Sequence, residues 1–368
     1  MKGNPPTLLT VIGTRPQYVK YAALAPLPRH AFRNVLVDTG QHHDALLSET
    51  FRKEYDIRDI EHTLDTGTHV GLPRLASLLS QLNDVIDVHS PDALLCFGDT
   101  DSALAAALAA IKHSVPVFHI EAGERSRSFA GTRVHPATIP EESNRVAIDH
   151  LASLLLCSTD EAKANCEEEQ CRGTLVFSGD IMYDLFLRAH SDEERDHDVL
   201  RRYDLEPRSY HFCTVHRPIN TDSPVRLRSL LATLSTLDLP VILALHPRTA
   251  DRMRTFHISA PGGQLRIVDA LPHRDTIALA RQSSRVLTDS GGLTREAYFC
   301  GVPSICLDDA TAWYALCRLG WCHLTGADDR RIRHALAASS PSGQPALFGN
   351  GNAAVAVIDA VSSALGNT

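Results

Sequence analysis

Three carboxylates are the residues of this sequence best suited to proton transfer. Asp99 and Glu121 each follow an apolar run, and Glu141 opens a helix-prone stretch. Carboxylates that lie close together and are partly removed from water shift their pKa values apart, so that one can act as an acid and another as a base. Taken singly, each is also explained as a helix cap, a strand-end hydrogen bonder or a first-turn charge. Their joint occurrence favours a proton-transfer site.

A second candidate is the Asp-Ser-Gly-Gly turn at 289–292, which joins an apolar run to a helix-prone run. The free N–H groups and the positive dipole end of a helix start attract anions. Gly291 and Gly292 let a phosphate approach the backbone, and Ser290 adds a hydroxyl donor. Glu296, one turn into the helix, can accept hydrogen bonds from a ribose. An ordinary helix cap is the alternative to a nucleotide diphosphate site.

Composition restricts the class of protein that can carry these residues. The chain has 368 residues, of which 43% are hydrophobic and 22% charged, so about two domains are expected. A formal charge of -8 argues against nucleic acid or an anionic membrane surface as the main partner. Because no apolar run approaches the length of a transmembrane helix, the sequence predicts a cytoplasmic protein without a membrane partner.

The nine cysteines are scattered singly through apolar contexts, which predicts buried free thiols in a reducing compartment. The pairs Cys166/Cys171 and Cys317/Cys322 lack flanking ligands at zinc spacing, so no metal is expected.

Strand-like apolar runs alternate with helix-prone segments along most of the chain. Continuous rather than alternating apolar runs predict parallel sheets covered by helices on both faces. Polar residues follow the strand ends, where such folds bind ligands. The predicted strands are 7–12, 34–39, 92–97, 115–120 and 174–178 in the first half, and 210–215, 240–245, 265–268, 285–287 and 303–307 in the second.

The fold class predicted is therefore α/β, with two Rossmann-like doubly wound domains facing across a cleft. The first, 1–180, carries the carboxylates; the second, 181–350, carries the nucleotide site; residues 351–368 form a helix that packs back. An NAD enzyme is disfavoured because the turn after the first strand, 13–16, lacks the Gly-x-Gly-x-x-Gly spacing.

Eight motifs together resemble the non-hydrolysing UDP-N-acetylglucosamine 2-epimerases, in that family's order and over about residues 8 to 340. The motifs are Gly-Thr-Arg-Pro-Gln-Tyr-Val-Lys (13–20), Thr-Gly-Gln-His-His-Asp (39–44), Gly-Asp-Thr (98–100), His-Ile-Glu-Ala-Gly (119–123), Pro-Glu-Glu-Ser-Asn-Arg (140–145), Thr-Val-His-Arg (214–217), His-Pro-Arg (246–248) and Asp-Ser-Gly-Gly-Leu (289–293).

This resemblance implies a GT-B-like homodimer of polysaccharide biosynthesis. It would interconvert UDP-N-acetylglucosamine and UDP-N-acetylmannosamine, or a related UDP-2-acetamido sugar, without cofactor or metal. The reaction implied is elimination of UDP across C1 and C2 to a 2-acetamidoglucal, followed by re-addition. Carried over by motif, the catalytic residues are Asp99, Glu121, Glu141 and His216. The substrate-binding residues implied are Arg15, Lys20, Arg145, Arg217, His246, Ser290, Gly291, Gly292 and Glu296.

Three segments depart from the family pattern. The loop 124–139 is longer than usual, and Leu72-Pro73 stands where the family has Arg-Gln, near its second, activating UDP-sugar site. Residues 308–315 lack an arginine and two glutamates that the family has there. Two other functions therefore stay open: a hydrolysing epimerase or glycosyltransferase-like enzyme on a different nucleotide sugar, and a nucleotide-sugar-binding protein without turnover.

Overall fold

The computed structural model describes residues 5–27, 31–41, 52–67, 69–189 and 193–366. The chain divides into two compact units. The first unit contains 1–125, 135–187 and 346–368, and the second contains 126–134 and 188–345. Within the described residues, no helix is both long and apolar enough to cross a membrane.

The first unit is built on a parallel sheet with seven strands among the described residues, in the spatial order β3-β2-β1-β4-β5-β7-β8. Its central strands are buried along their whole length, which explains their continuous apolar runs. The strands are β1 Thr7–Ile12, β2 Arg33–Asp38, β3 Ile60–Thr63, β4 Ala93–Phe97, β5 Val117–Ala122, β7 Leu154–Cys157 and β8 Thr174–Phe177.

Helices of the first unit begin where the sequence supplies a cap or a first-turn proline. The side chain of Thr100 accepts a hydrogen bond from the backbone of Ala103, which starts the alanine-rich helix Asp101–Lys112. Pro140 opens the helix Pro140–Leu151, which carries the third candidate carboxylate. The helices are α1 Arg15–Leu24, α2 Leu72–His89, α3 Asp101–Lys112, α4 Pro140–Leu151, α5 Asp160–Glu168, α6 Ile181–Ala189 and, from the C-terminus, α15 Ala353–Gly366.

The second unit repeats the plan with a parallel sheet of six strands within the described part, in the order β11-β10-β9-β12-β13-β15. Its strands are β9 His211–Thr214, β10 Val241–Ala244, β11 Leu265–Val268, β12 Arg285–Thr288, β13 Ser304–Cys306 and β15 Cys322–Leu324. Its helices are α7 Glu193–Arg202, α8 Pro218–Thr221, α9 Pro224–Ser235, α10 Pro247–Thr255, α11 His273–Gln282, α12 Gly291–Phe299, α13 Tyr314–Arg318 and α14 Asp329–Leu336.

Both sheets are doubly wound, as the sequence predicted. In the first unit the strand order reverses between β1 and β4, and in the second between β9 and β12. Doubly wound sheets bind ligands at the carboxyl ends of the strands beside such a reversal. The candidate residues Arg15 and Asp99 follow β1 and β4, whereas His216 and Ser290 follow β9 and β12. Each unit thus places two of its candidate residues at its own switch point.

The division of the chain differs from the expected boundary near residue 181 in two places. The first unit continues to 187 because it includes most of α6. The C-terminal helix α15, which was expected to pack back, packs against α1 of the first unit. Residues 126–134 belong to the second unit, because β6 Arg127–Ser128 pairs antiparallel with β14 Ala310–Thr311. Pairing between such distant segments leaves no periodic signal in the sequence.

Candidate active site

The turn after β1 is held rigidly at the switch point of the first unit. A side chain at Gly13 would place its Cβ only 1.7 Å from Oγ1 of Thr39, so glycine is required there. The carboxamide of Gln17 accepts a hydrogen bond from the backbone of Thr14 at 3.1 Å and donates one to the carbonyl of Phe97 at 2.9 Å. The half-buried Arg15 therefore starts α1 from a turn that is tied to the end of β4.

Glu121 is the most constrained of the candidate carboxylates. Its backbone has a φ of 69°, and the register of β5 against β7 shifts between Ile120 and Ala122, so the residue occupies a β-bulge. A non-glycine residue in this conformation costs about 1 to 3 kcal/mol, and such strain clusters at functional sites. The side chain is buried and pairs with the buried Lys20 at 2.6 Å.

Gly98 lies beside this pair. A side chain there would bring its Cβ to 3.2 Å from the Lys20 ammonium nitrogen and 3.6 Å from a carboxylate oxygen of Glu121. Its φ of 64° also lies in the region that favours glycine. Small size and backbone freedom are both needed at this position, which directly precedes Asp99.

Asp99 is paired with a second buried cation, Arg145 of α4. The guanidinium of Arg145 donates to the Asp99 carboxylate and to Glu142 at 2.7 Å. Burial alone would lower the pKa of Arg145, but Asp99, Glu142 and Glu121 hold that pKa above its ordinary value. Arg145 therefore remains a cation, and two carboxylate–cation pairs lie at the carboxyl edge of the first sheet.

Glu141 stands apart from this cluster. It is half-buried on the first turn of α4, and its side chain makes no hydrogen bond or ion pair with any described residue. Its neighbour Glu142 is the buried partner of Arg145. The sequence singled out Glu141 and missed Glu142, because two adjacent glutamates in one motif give no sign of which one faces the core.

In the second unit, Asp289 organises the residues that follow β9. Its buried carboxylate accepts hydrogen bonds from the backbone of His216 at 2.9 and 3.0 Å, from the backbone of Arg217 at 2.9 Å and from the side chain of Asn220 at 3.0 Å. Nδ1 of the His216 ring lies 3.0 Å from the same carboxylate. Burial raises the pKa of Asp289, but His216 and Asn220 outweigh it and lower that pKa to about 2.

This low pKa predicts an acid-sensitive contribution to stability. A carboxyl whose pKa is lower in the folded protein stabilises the fold above its unfolded pKa, and the contribution is lost as the pH falls from 3.8 to about 2. The loss expected from Asp289 is about 2 kcal/mol. Urea unfolding measured at about pH 5 and about pH 3 should therefore show that the free energy of unfolding falls more between these pH values in the wild type than in Asp289→Asn. Equal pH dependence in the two proteins would contradict the prediction.

His216 and Arg217 both belong to the turn that the Asp289 carboxylate holds in place. Because Nδ1 of His216 faces Asp289, Nε2 is the ring nitrogen left for a ligand. The ring stacks on His246 with centroids 5.0 Å apart. Arg217 is half-exposed and pairs with Asp308 at 3.2 Å, and burial raises the pKa of that carboxyl despite the guanidinium. These three basic side chains come from the ends of neighbouring strands.

The turn before α12 is both a cap and a donor site. Ser290 accepts a hydrogen bond from the backbone of Leu293 at 3.3 Å, as an ordinary N-cap does. Gly291 and Gly292 are the first two residues of α12, so their N–H groups belong to the unsatisfied set of a helix start. An added Cβ at Gly291 would lie 3.0 Å from Nε1 of Trp313, which is a packing reason for glycine that the sequence did not reveal.

Glu296 and three further residues complete the second unit's site. Its carboxylate contacts Nε2 of His273 at 2.5 Å, and both side chains are buried. Arg295 stacks its guanidinium over Trp313 at 4.0 Å from the ring centroid. Sequence reasoning missed His273, Arg295 and Trp313 as site residues, because each is defined by a contact with a segment distant along the chain.

Comparison with known proteins identifies the family of this chain. The family model described as UDP-N-acetylglucosamine 2-epimerase matches residues 27–362. The chain belongs to the UDP-N-acetylglucosamine 2-epimerase family. The family predicted from the motifs is thus confirmed.

Within this epimerase family, two curated relatives span most of the chain. The chain is 35% identical over 337 residues to UDP-2,3-diacetamido-2,3-dideoxy-D-glucuronate 2-epimerase of Pseudomonas aeruginosa, covering 87% of this chain and 88% of the relative. It is 29% identical over 358 residues to a UDP-N-acetylglucosamine 2-epimerase homolog of Methanococcus maripaludis, covering 96% and 98%.

A solved structure of the family is also similar over nearly the whole chain. The UDP-GlcNAc 2-epimerase of Methanocaldococcus jannaschii, in complex with UDP-GlcNAc and UDP, superposes with a TM-score of 0.87 at 26% identity. The match covers 97% of this chain and 99% of that one.

Two of the three departures from the epimerase family pattern contact each other. The long loop contributes β6, and the altered segment 308–315 contributes β14, its antiparallel partner. In the same segment, Asp309 pairs with Arg226 at 2.7 Å, while Tyr314 packs against Gly131 of the loop. The two sequence differences therefore form one local structure in the second unit.

The family motif at 39–44 is described only in part. Gln41 accepts hydrogen bonds from the backbone and the hydroxyl of Ser102 at 3.0 and 2.6 Å. His42, His43 and Asp44 lie outside the described residues.

One group of side chains could offer ligands to a metal ion within the part of the chain that the structure describes. His150, Glu169 and Cys171 each have one donor atom within 4.8 Å of the others. Both carboxylate oxygens of Glu169 already accept hydrogen bonds from Arg125, at 2.9 and 2.5 Å. A guanidinium on this carboxylate opposes a second cation, so we assign no metal to this group.

Proposed function

We propose that the chain is an isomerase that inverts C2 of a UDP-2-acetamido sugar. The observation that carries the proposal is the two ion pairs at the carboxyl edge of the first sheet: Lys20–Glu121, which is buried, and Asp99–Arg145, in which the half-buried Asp99 meets a buried guanidinium. Membership of the epimerase family supports the reaction class.

The reaction proposed is elimination followed by re-addition. The C2 proton of such a sugar is not next to a carbonyl group, so its direct removal leaves an unstabilised carbanion. Loss of the proton together with cleavage of the bond between C1 and the UDP oxygen avoids that species and gives a 2-acetamidoglucal and UDP. Protonation of C2 on the opposite face, with attack of the UDP oxygen on C1, then gives the epimer. Atoms and electrons balance without a cofactor.

We assign the proton transfers to the carboxylates of the first unit. Two groups are needed because the proton leaves one face of C2 and returns on the other. Glu121 and Asp99 are the strongest pair, since Lys20 and Arg145 offset their charge as protons move. Glu141 is proposed as the third acid–base group because its carboxylate is half-exposed and makes no polar contact within the described residues.

The nucleotide is assigned to the second unit. His216 Nε2 and the N–H groups of the turn at Ser290 suit the diphosphate, which must stay bound in order to add back. We place Glu296 on the ribose, while His246 supports the His216 ring. Arg217 supplies further positive charge for the leaving group, and Arg15 is proposed as a substrate-binding residue of the first unit.

Relatives in the family differ in the sugar on which they act. One relative acts on a UDP-2,3-diacetamido-2,3-dideoxy-D-glucuronate, and its identity to this chain is 35%. The structure formed by β6 and the altered segment 308–315 gives this chain a local difference from the usual family pattern. We therefore propose that the substrate carries a 2-acetamido group and further substituents beyond those of UDP-N-acetylglucosamine. We also propose that the chain works as a homodimer in the cytoplasm, in polysaccharide biosynthesis.

The function is tested with a panel of UDP-sugars in deuterated water. We expect epimerised product that carries one solvent deuteron at C2, seen by mass spectrometry and by the anomeric NMR signals. UDP-N-acetylglucosamine and UDP-2,3-diacetamido-2,3-dideoxy-D-glucuronate are the two decisive substrates.

The other outcomes separate the competing functions. Net release of UDP and free sugar would indicate the hydrolysing enzyme, and transfer of the sugar to an acceptor would indicate a glycosyltransferase. UDP binding without exchange or turnover of any UDP-sugar would favour the binding protein. The homodimer is tested independently by sedimentation, where a monomer at micromolar concentration would exclude it.

A further inference from the structure

We propose that the buried pair His119–Asp149 is a positioning device that holds the two strand ends bearing Asp99 and Glu121 and the helix bearing Arg145. The proposal rests on the proposed function, because the groups that it positions are the proton-transfer residues. Neither residue of the pair was assigned a role above.

His119 links the ends of two strands through its ring. It is fully buried, with Nε2 at 2.8 Å from the carbonyl oxygen of Gly98 and Nδ1 at 2.7 Å from Oδ1 of Asp149. Carbonyl and carboxylate oxygens only accept hydrogen bonds, so both ring nitrogens must donate for both bonds to form. The ring is therefore fixed in rotation, and the peptide between Gly98 and Asp99 is fixed with it.

Asp149 extends the link to the segment that follows Glu121. Its Oδ2 accepts hydrogen bonds from the backbone of Gly123 at 3.0 Å and from Nη1 of Arg125 at 2.7 Å. Burial raises the pKa of Asp149, but the hydrogen bonds and charges of His119 and Arg125 outweigh it and lower that pKa below its ordinary value. The carboxylate thus stays ionised in the core, with each oxygen occupied.

The device holds a backbone that would not keep its shape unaided. Glu121 has a φ of 69°, in the left-handed region that strains a non-glycine residue, while Gly98 and Gly123 adopt their φ angles of 64° and 81° without strain. Strained backbone of this kind persists only where the surroundings over-determine it. One acceptor, the Gly98 carbonyl, and one donor, the Gly123 N–H, are bound at either side of the Glu121 bulge.

The position of Asp149 also fixes the helix. It lies on α4 four residues after Arg145, one helical turn further along the same face. Tying Asp149 to β5 therefore sets the depth at which Arg145 meets the Asp99 carboxylate. A shift of about 1 Å in a catalytic group costs up to a hundredfold in rate, which gives this arrangement a functional consequence.

Two substitutions at His119 separate its two bonds. The amide nitrogen of glutamine occupies roughly the place of Nε2, so His119→Gln keeps a donor to the Gly98 carbonyl. The shorter His119→Asn places its amide near Nδ1 and keeps only the bond to Asp149. If the ring positions Asp99, kcat should fall by about tenfold to a hundredfold in His119→Asn and by less in His119→Gln, with KM and UDP affinity nearly unchanged in both.

The matched control is Thr10→Val, which removes a partly buried hydrogen bond to Asn34 in the same unit without touching the strand ends. All variants are assayed at a temperature where circular dichroism shows them folded. The positioning role is overturned if kcat of the folded His119 variants equals that of the wild type. It is equally overturned if Thr10→Val loses as much kcat, or if the loss lies in KM alone.

Hydrogen exchange tests the device whether or not the wild type is active. The N–H of Gly98 bonds to the Ile120 carbonyl at 2.9 Å, and the N–H of Gly123 bonds to Asp149. We expect faster exchange at Gly98 and Gly123 in His119→Asn, with the rest of the sheet unchanged. Uniform acceleration across the sheet, or none, would reject the device. If the wild type is inactive but exchange at Gly98 and Gly123 is faster in His119→Asn, the proposed function is rejected and the positioning role of the His119–Asp149 pair is retained.

Discussion

Replacement of Glu121 by glutamine is expected to lower epimerase turnover by about a hundredfold or more, which is the usual cost of losing a positioned proton-transfer group. The amide keeps the size of the side chain and leaves Lys20 a hydrogen-bond acceptor at the same place, so the bulge should persist. UDP affinity should stay nearly unchanged, since the diphosphate is assigned to the second unit. Turnover is measured by NMR and UDP affinity by calorimetry.

Two variants make this result specific. Asp99→Asn should show the same pattern, with turnover lost and UDP affinity kept. Glu167→Gln changes a glutamate of the same unit whose side chain is 58% exposed, and it should be silent. Exchange at C2 that survives in Glu121→Gln and in Asp99→Asn would disprove the assignment of the acid–base pair while leaving the fold intact.

The second large effect is expected at the nucleotide site. Replacing Glu296 by alanine should weaken UDP binding by about 1.5 to 3 kcal/mol, the worth of a hydrogen bond to a charged group. That loss corresponds to a rise in Kd of roughly tenfold to a hundredfold. Calorimetry with UDP measures it directly.

The contact between Glu296 and His273 requires its own control, because removing one side chain also takes this contact from the other, which is buried. His273→Gln removes the imidazole while keeping Glu296 and a side chain able to donate to it. If Glu296 binds the ribose, UDP affinity should fall much more in Glu296→Ala than in His273→Gln. Equal losses in both would show that the pair acts as one structural unit, and unchanged affinity in Glu296→Ala would refute the ribose assignment.

The sequence predicted the elements that lie on the sheets well. Strand β1 was expected at 7–12 and occupies Thr7–Ile12, and β11 was expected at 265–268 and occupies Leu265–Val268. An apolar run bounded by turn residues marks β1, which is buried along most of its length, and also β11, which is partly buried at the edge of its sheet. The strands β7 and β15 were not predicted. Both are short, even though they are buried or partly buried.

The candidate site was predicted less completely than the fold. Asp99 and Glu121 were singled out because each follows a predicted strand within a family motif, and in the structure each pairs with a buried cation. Glu142, His273 and Trp313 were missed. The sequence also did not predict that Gly291 must be small because it packs against Trp313. Periodicity indicates which positions face the core, but it does not indicate which side chain from a distant part of the sequence contacts them.

By itself, the sequence determined the α/β class, the two Rossmann-like domains, the family and the strand ends at which polar residues collect. These properties depend on local patterning, because residues that are close in sequence determine which strands are buried and where helices begin. Only the tertiary structure decided that Lys20 meets Glu121, that Arg145 meets Asp99, and that 126–134 joins the second unit. Ion pairs and strand pairing join segments far apart along the chain, and their geometry depends on how all the intervening elements pack.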